Sequence, residues 1–152
     1  MLAGLLLAAG NGSRMGQPKA ALEINGVRLV DRAVALFKAA DIDQVYVVLG
    51  AWVGEVPGAT ILINEQWPEG MGSSLRAGLT AISQVPGIDE VVVSLVDLPG
   101  MTAAAMKKIA EAKGELVMAT YLGKNGHPVK FSRNHWAELL RVLRAMWVPA
   151  TT

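Results

Sequence analysis

Short apolar runs, separated by stretches with helical spacing, constrain the fold of this chain more than any other feature. Leu2–Ala8, Gln44–Leu49, Ala59–Ile63, Glu90–Val96 and Glu115–Tyr121 read as strands. Four of them are almost unbroken apolar segments, as expected of strands covered on both faces. Between them lie amphipathic segments. Val30–Ala40 places Val30, Ala33, Val34 and Phe37 on one helical face, and Ser73–Ser83 does the same with Leu75, Leu79 and Ile82. Met101–Lys113 carries Ala105, Met106 and Ile109, with Lys107, Lys108 and Lys113 near the end where positive charge suits the helix dipole. His135–Leu143 is the last. This order predicts a Rossmann-like α/β domain of three layers, α/β/α, around a mainly parallel sheet. The 152 residues are read as a single domain, long enough to bury about two-thirds of the unfolded surface.

Composition narrows the function classes. With 52% hydrophobic residues and a net charge of +1, the chain is not a disordered one. It has no cysteine, which excludes a disulfide scaffold and a thiolate metal site and fits a cytoplasmic protein. The balance of 14 basic and 13 acidic residues gives no bulk reason to bind nucleic acid or an anionic membrane. The longest apolar runs, such as Val45–Leu49 and Val91–Leu95, are far shorter than the ~20 residues of a bilayer span. Met1–Ala9 has the apolar character of a secretion signal but lacks a basic flank, so a first buried strand is expected there.

In such sheets ligands bind where strands end and helices begin. Three loops are therefore candidates: Gly10–Lys19, Asn64–Ser74 and Asp97–Thr102. The first runs Gly10-Asn11-Gly12-Ser13-Arg14-Met15-Gly16-Gln17-Pro18-Lys19. Its three glycines let backbone amides approach a ligand, and Arg14 and Lys19 add positive charge where no acid occurs from Met1 to Leu22. That combination suits a polyphosphate. The standard phosphate motifs do not match. The dinucleotide fingerprint needs glycine where Met15 stands, and a Walker A loop needs lysine where Gln17 stands.

Leu7-Ala8-Ala9-Gly10, Arg14-Met15-Gly16 and Lys19 together resemble the signature of nucleotidyltransferases that activate sugars and cofactors with a nucleoside triphosphate. Two later segments, Gly70-Met71-Gly72-Ser73-Ser74-Leu75 with Ala77-Gly78, and Gly126-His127-Pro128-Val129, are similar to the branch acting on molybdopterin. The resemblance runs from Leu5 to about Leu140. It implies transfer of CMP or GMP from CTP or GTP to molybdopterin, with release of pyrophosphate, during maturation of the molybdenum cofactor. A molybdoenzyme or chaperone would then receive the product. By the same resemblance Leu7, Ala8, Ala9, Gly10, Gly12 and Ser13 lie against the nucleotide, while Arg14 and Lys19 hold its phosphates and act in catalysis. Positioning and charge neutralisation supply most of the acceleration in such phosphoryl chemistry.

Asp97 ends the apolar run Val91–Val96 and precedes Leu98-Pro99-Gly100. From spacing alone, this carboxylate either holds Mg²⁺ or caps the helix opening near Met101–Thr102. The family's Asp-x-Pro motif implies the catalytic metal, with Pro99 beside the substrate. Cytidylyl members often have glutamine where Leu98 stands. Relatives also continue to a Gly-Asp-x-Gly segment whose aspartate helps to hold the metal, whereas this chain has no acid after Glu138. Elements after about residue 145 are thus expected to be missing, with weaker metal binding and poor catalysis.

Asn64, Gly72 and Ser73 are expected at the nucleotide, and Ser74, Gly126, His127 and Pro128 at the pterin substrate. Capping serines are common, so Ser73 as a plain helix cap and Trp67 as loop packing are the alternatives. Gly123–Gly126 reads as a turn between Glu115–Tyr121 and Val129–Phe131, His127 lacks a second ligand at metal spacing, and Asp41-Ile42-Asp43 reads as a solvated turn. Arg28 and Arg76 are candidate phosphate ligands by charge, with plain surface arginines the commoner reading. The methyl of Ala9 narrows the base site, and together with Gly126-His127-Pro128 this favours CTP over GTP. Two other readings stand beside this one: a sugar-1-phosphate nucleotidyltransferase sharing the first loop, and a non-catalytic nucleotide-binding or chaperone-like module.

Overall fold

The computed structural model describes residues 1–10, 18–98, 101–114, 116–121 and 124–145, with side chains between 116 and 127 and beyond 142 left aside. The strands are β1 (Leu2–Ala8), β2 (Glu23–Ile24), β3 (Val27–Arg28), β4 (Gln44–Leu49), β5 (Thr60–Ile63), β6 (Glu90–Leu95), β7 (Leu116–Tyr121) and β8 (Lys124–Ser132). The helices are α1 (Leu29–Ala39), α2 (Met71–Ser83), α3 (Ala103–Glu111) and α4 (Trp136–Ala145). Each strand and helix expected from the apolar pattern is present, with ends shifted by one or two residues.

The main sheet has six strands in the order β5-β4-β1-β6-β8-β7. The first four are mutually parallel; β8 lies antiparallel to both β6 and β7. β1 is central and buried along almost its whole length. Its side chains alternate between two cores. Leu6 and Ala8 pack with Val30, Phe37, Val92 and Met106 under α1 and α3. Leu5, Leu7 and Ala9 pack with Leu79, Ile82, Val93 and Trp136 under α2 and α4. Two glycines set how closely the helix layers approach. A Cβ at Gly4 would lie 2.7 Å from the Phe37 ring, and one at Gly78 would lie 2.6 Å from Leu5. Helices α1 and α2 therefore cross the sheet at close range.

Two features differ from the sequence expectation. Lys124, Asn125 and Gly126 belong to β8 instead of a turn, pairing with Tyr121, Thr120 and Ala119, and a bulge between Met118 and Ala119 absorbs the register shift. The strands β2 and β3 form a hairpin across Asn25 and Gly26, both at positive φ (55° and 80°). An Asn-Gly pair between short apolar segments is the signal for such a turn, because both central residues must adopt positive φ.

Candidate functional site

The parallel strands deliver their carboxyl ends to one rim. Val96 N–H donates to the Leu7 carbonyl (3.2 Å), Ala51 N–H to the Ala9 carbonyl (3.0 Å) and Asn64 N–H to the Leu49 carbonyl (2.8 Å). These bonds carry the ladders past the ends of β1, β4, β5 and β6 and bring the starts of the three candidate loops to one rim. Leu7, Ala8 and Ala9 are buried, so only their backbone is available to a ligand. Gly10 is exposed, and a Cβ there would meet no protein atom within 4 Å. Gly12, Ser13 and Arg14 lie outside the described residues, as does Pro99.

Lys19 opens a short 3-10 turn, Lys19–Ala21, and its neighbour Ala20 is buried against the α1 side of the core. That anchor aims the ammonium at Asp97: Nζ donates to Oδ2 at 2.7 Å, and both side chains are 37% exposed. Residues 78 positions apart thus meet at the rim. The capping alternative for Asp97 does not hold. Thr102 caps α3, its hydroxyl accepting from the Ala105 N–H at 3.1 Å. Asp97 also forms part of the wall of a solvent-open cleft of about 360 Å³ between α1 and the β6–α3 connection, shared with Leu29, Arg32, Ser94 and Met101.

Asn64 follows β5 and is buried. Its amide donates to the hydroxyls of Ser73 (2.9 Å) and Ser74 (3.1 Å), while its Oδ1 accepts from the Gln66 N–H (3.0 Å). Ser73 in turn donates to the carbonyls of Gly70 (2.7 Å) and Gln66 (3.0 Å). The amide of Asn64 is thus engaged by protein groups in this structure, and Ser73 and Ser74 are both buried. Ser73 is not the helix cap either; that position is Gly70, with φ 111° and ψ −178°, a conformation that side chains rarely adopt. Trp67 packs over Gly50, where a Cβ would approach it to 2.7 Å. Arg76 clasps the same loop through Gln66 (2.8 Å) and Glu69 (3.3 Å). Gly72 stands exposed in the first turn of α2.

The remaining arginine of interest, Arg28, holds Asp31 through Nε (2.7 Å) and Nη2 (2.9 Å), reaches the Glu55 carbonyl and lies 5.1 Å from the Trp52 ring. Its hydrogen bonds to Asp31 push its proton affinity up further, so it is a fixed structural cation. Asp41, at φ 65°, pairs with Lys107 at 3.0 Å, whereas its neighbour Ile42 is core. On the far side of the rim, β8 pairs Val129 with Val93 in antiparallel register, so Gly126, His127 and Pro128 continue toward the end of β6 that bears Asp97. Pro128 is buried; the side chain of His127 lies outside the described residues.

Among the described residues no group of three or more His, Cys, Asp or Glu side chains converges as a metal cage. Asp97 nevertheless offers a hard, accessible oxygen donor beside a phosphate-seeking cation. That fits Mg²⁺ as proteins commonly hold it, through one or two carboxylates with the remaining positions filled by phosphate oxygens and water.

A three-layer α/β domain in which Lys19 and Asp97 meet at the ends of the parallel strands shares its fold with solved nucleotidyltransferases. The chain belongs to the MobA-like NTP transferase domain family, whose model matches residues 4–146. It is 32% identical to nicotine blue oxidoreductase of Paenarthrobacter nicotinovorans over 142 residues, covering 83% of this chain and 68% of that protein. It is 28% identical to the molybdenum cofactor guanylyltransferase of Rhodobacter capsulatus, covering 99% and 70%. Among solved structures, Rv0371c of Mycobacterium tuberculosis H37Rv superposes with a TM-score of 0.78 at 27% identity, covering 92% of this chain and 75% of that one. The same protein has also been solved in complex with manganese. No helix among the described residues is long and apolar enough to cross a membrane.

Proposed function

We propose that this domain transfers a nucleoside monophosphate, CMP in preference to GMP, from its triphosphate to the terminal phosphate of molybdopterin. The observation that carries this reading is the meeting of Lys19 and Asp97 at the rim where β1 ends in the exposed Gly10. An acceptor phosphate oxygen attacks the α-phosphorus, the new P–O bond forms in line, and the bond to the β-phosphate breaks as pyrophosphate leaves with its electron pair. Lys19, with Arg14, neutralises charge on the departing phosphates, and the amides of Ala8, Ala9 and Gly10 hold the nucleotide. Asp97 supplies a ligand to a divalent cation, Mg²⁺ in this reading, which when bound adds Lewis-acid stabilisation of phosphate charge. The manganese complex of Rv0371c supports a divalent ion in this fold.

The helix α2 and the loop before it stand on the nucleotide side, with Gly72, Ser73 and the bracing Asn64. Ser74 and the segment Pro99, Gly126, His127 and Pro128 stand on the acceptor side. The Ala8-Ala9-Gly10 and Gly126-His127-Pro128 segments support CTP because they resemble those of cytidylyl members, a discrimination of about 1–3 kcal/mol. The relative acting as a guanylyltransferase makes the nucleotide the first thing to measure. The test is pyrophosphate release from CTP and from GTP with molybdopterin and Mg²⁺. Faster release from CTP is expected; a clear GTP preference rejects the base assignment, and binding of CTP with no release supports a non-catalytic module.

A further inference from the structure

We infer that Lys130 is a positioning residue: it fixes the register of β8 against β6 and α3, and so where the bulge of His127 and Pro128 meets the acceptor. The inference rests on the nucleotidyltransferase reading for what that bulge serves. Met118 of β7 faces Val129, but the next residue, Ala119, faces Gly126. His127 and Pro128 are therefore the residues of β8 left over between two registers. Bulges bend a strand and re-aim its side chains. Proline, with no N–H to give to the ladder, is tolerated in them.

Continuing the pairing of Lys124–Gly126 without the bulge would slide the rest of β8 by two residues, about 7 Å, and turn no side chain to the other face. Val129 would stand where Phe131 now faces Val91, one apolar residue for another. The apolar pattern is thus a poor guard against this slip, and Lys130 is the residue that tells the two registers apart. It stands opposite Val92 and is 2% exposed. Its ammonium pairs with Glu90 Oε2 (3.2 Å) and donates to the carbonyls of Ala110 (3.4 Å) and Ala112. All three N–H donors are used, and a buried ammonium is costly wherever it lacks such partners. After the slip the ammonium leaves the α3 carbonyls, and Pro128, which has no donor, takes its place. Setting register among apolar neighbours is the best-attested use of a buried charged or polar group.

The test compares the wild type with Lys130→Met, Glu90→Gln and a control, Leu140→Ala, which opens a cavity in the core under α2 and α4. Register is read from nuclear Overhauser contacts between β6 and β8, function from steady-state turnover with molybdopterin, CTP and Mg²⁺. Lys130→Met is expected to show a second set of contacts that places Val129 opposite Val91. Its KM for molybdopterin should rise on the order of 10-fold while KM for CTP stays within about 2-fold. Glu90→Gln should shift both readouts the same way to a smaller degree, and it decides the matter if Lys130→Met does not fold. A single unshifted set of contacts in the folded variants overturns the inference. So does an unchanged KM for molybdopterin, or an equal rise in Leu140→Ala. If the contacts shift but the wild type itself does not turn over molybdopterin, Lys130 sets the register and the nucleotidyltransferase reading fails.

Discussion

Lys19→Ala removes the ammonium placed to meet the triphosphate, and turnover is expected to fall at least 100-fold, about 3 kcal/mol of barrier. Steady-state pyrophosphate release checks this; near-normal turnover would defeat the polyphosphate assignment. Asn64 carries a different expectation. Asn64→Ala strips the two donors shared by Ser73 and Ser74 and the acceptor of the Gln66 N–H. Stability measured by urea unfolding should drop by about 1–3 kcal/mol, the cost of leaving buried polar groups unpaired. Both residues were visible as candidates in the sequence, but not in the same way. The glycine-rich, acid-free context of Lys19 is the sequence signal on which the proposed phosphate site rests. Nothing in the letters around Asn64 says that its amide turns inward, because that depends on where α2 begins and on the buried hydroxyls it meets. The Lys19–Asp97 contact was equally illegible as a pair, since it spans 78 positions and exists only once β1 and β6 lie side by side.

Helix α2 is fixed at both scales of approach, by a sharp entry and a close crossing. Gly70→Ala places a side chain at φ 111°, and strain of about 1–3 kcal/mol is expected, read as a lower unfolding midpoint. Gly78→Val drives a branched side chain into Leu5, which a Cβ alone would approach to 2.6 Å; about 1–3 kcal/mol is expected from overpacking. Both substitutions should weaken nucleotide binding if α2 frames the site, and isothermal titration with CTP measures that. The four helices and five of the strands were legible because their apolar periodicity is long enough to register. The hairpin β2–β3 was not read because two-residue strands carry no period, although Asn25-Gly26 announced the turn.

The molecule as a whole joins a parallel half to an antiparallel hairpin, and Lys130 is a fastener between them. It lies buried on β8, bonded to Glu90 of β6 at 3.2 Å and to the carbonyls of Ala110 and Ala112 at the end of α3. Lys130→Met leaves those carbonyls without their donor, and a loss of about 1–3 kcal/mol in the unfolding transition is expected; an unchanged midpoint would show the fastener to be idle. The hairpin joining Glu115–Tyr121 to Val129–Phe131 is legible in the sequence; that Lys124, Asn125 and Gly126 pair within β8, and that β8 lies beside β6, is not, because turn chemistry at those residues hides their pairing with β7. The central position of β1 has a consequence for biosynthesis. Within this domain the strand is synthesised before both of its neighbours, Gln44–Leu49 on one side and Glu90–Leu95 on the other. At about 5–20 residues per second, this apolar strand waits roughly five to twenty seconds before both its edges are covered. The strand that leads into the glycine-rich loop is, during synthesis, a segment in need of shelter.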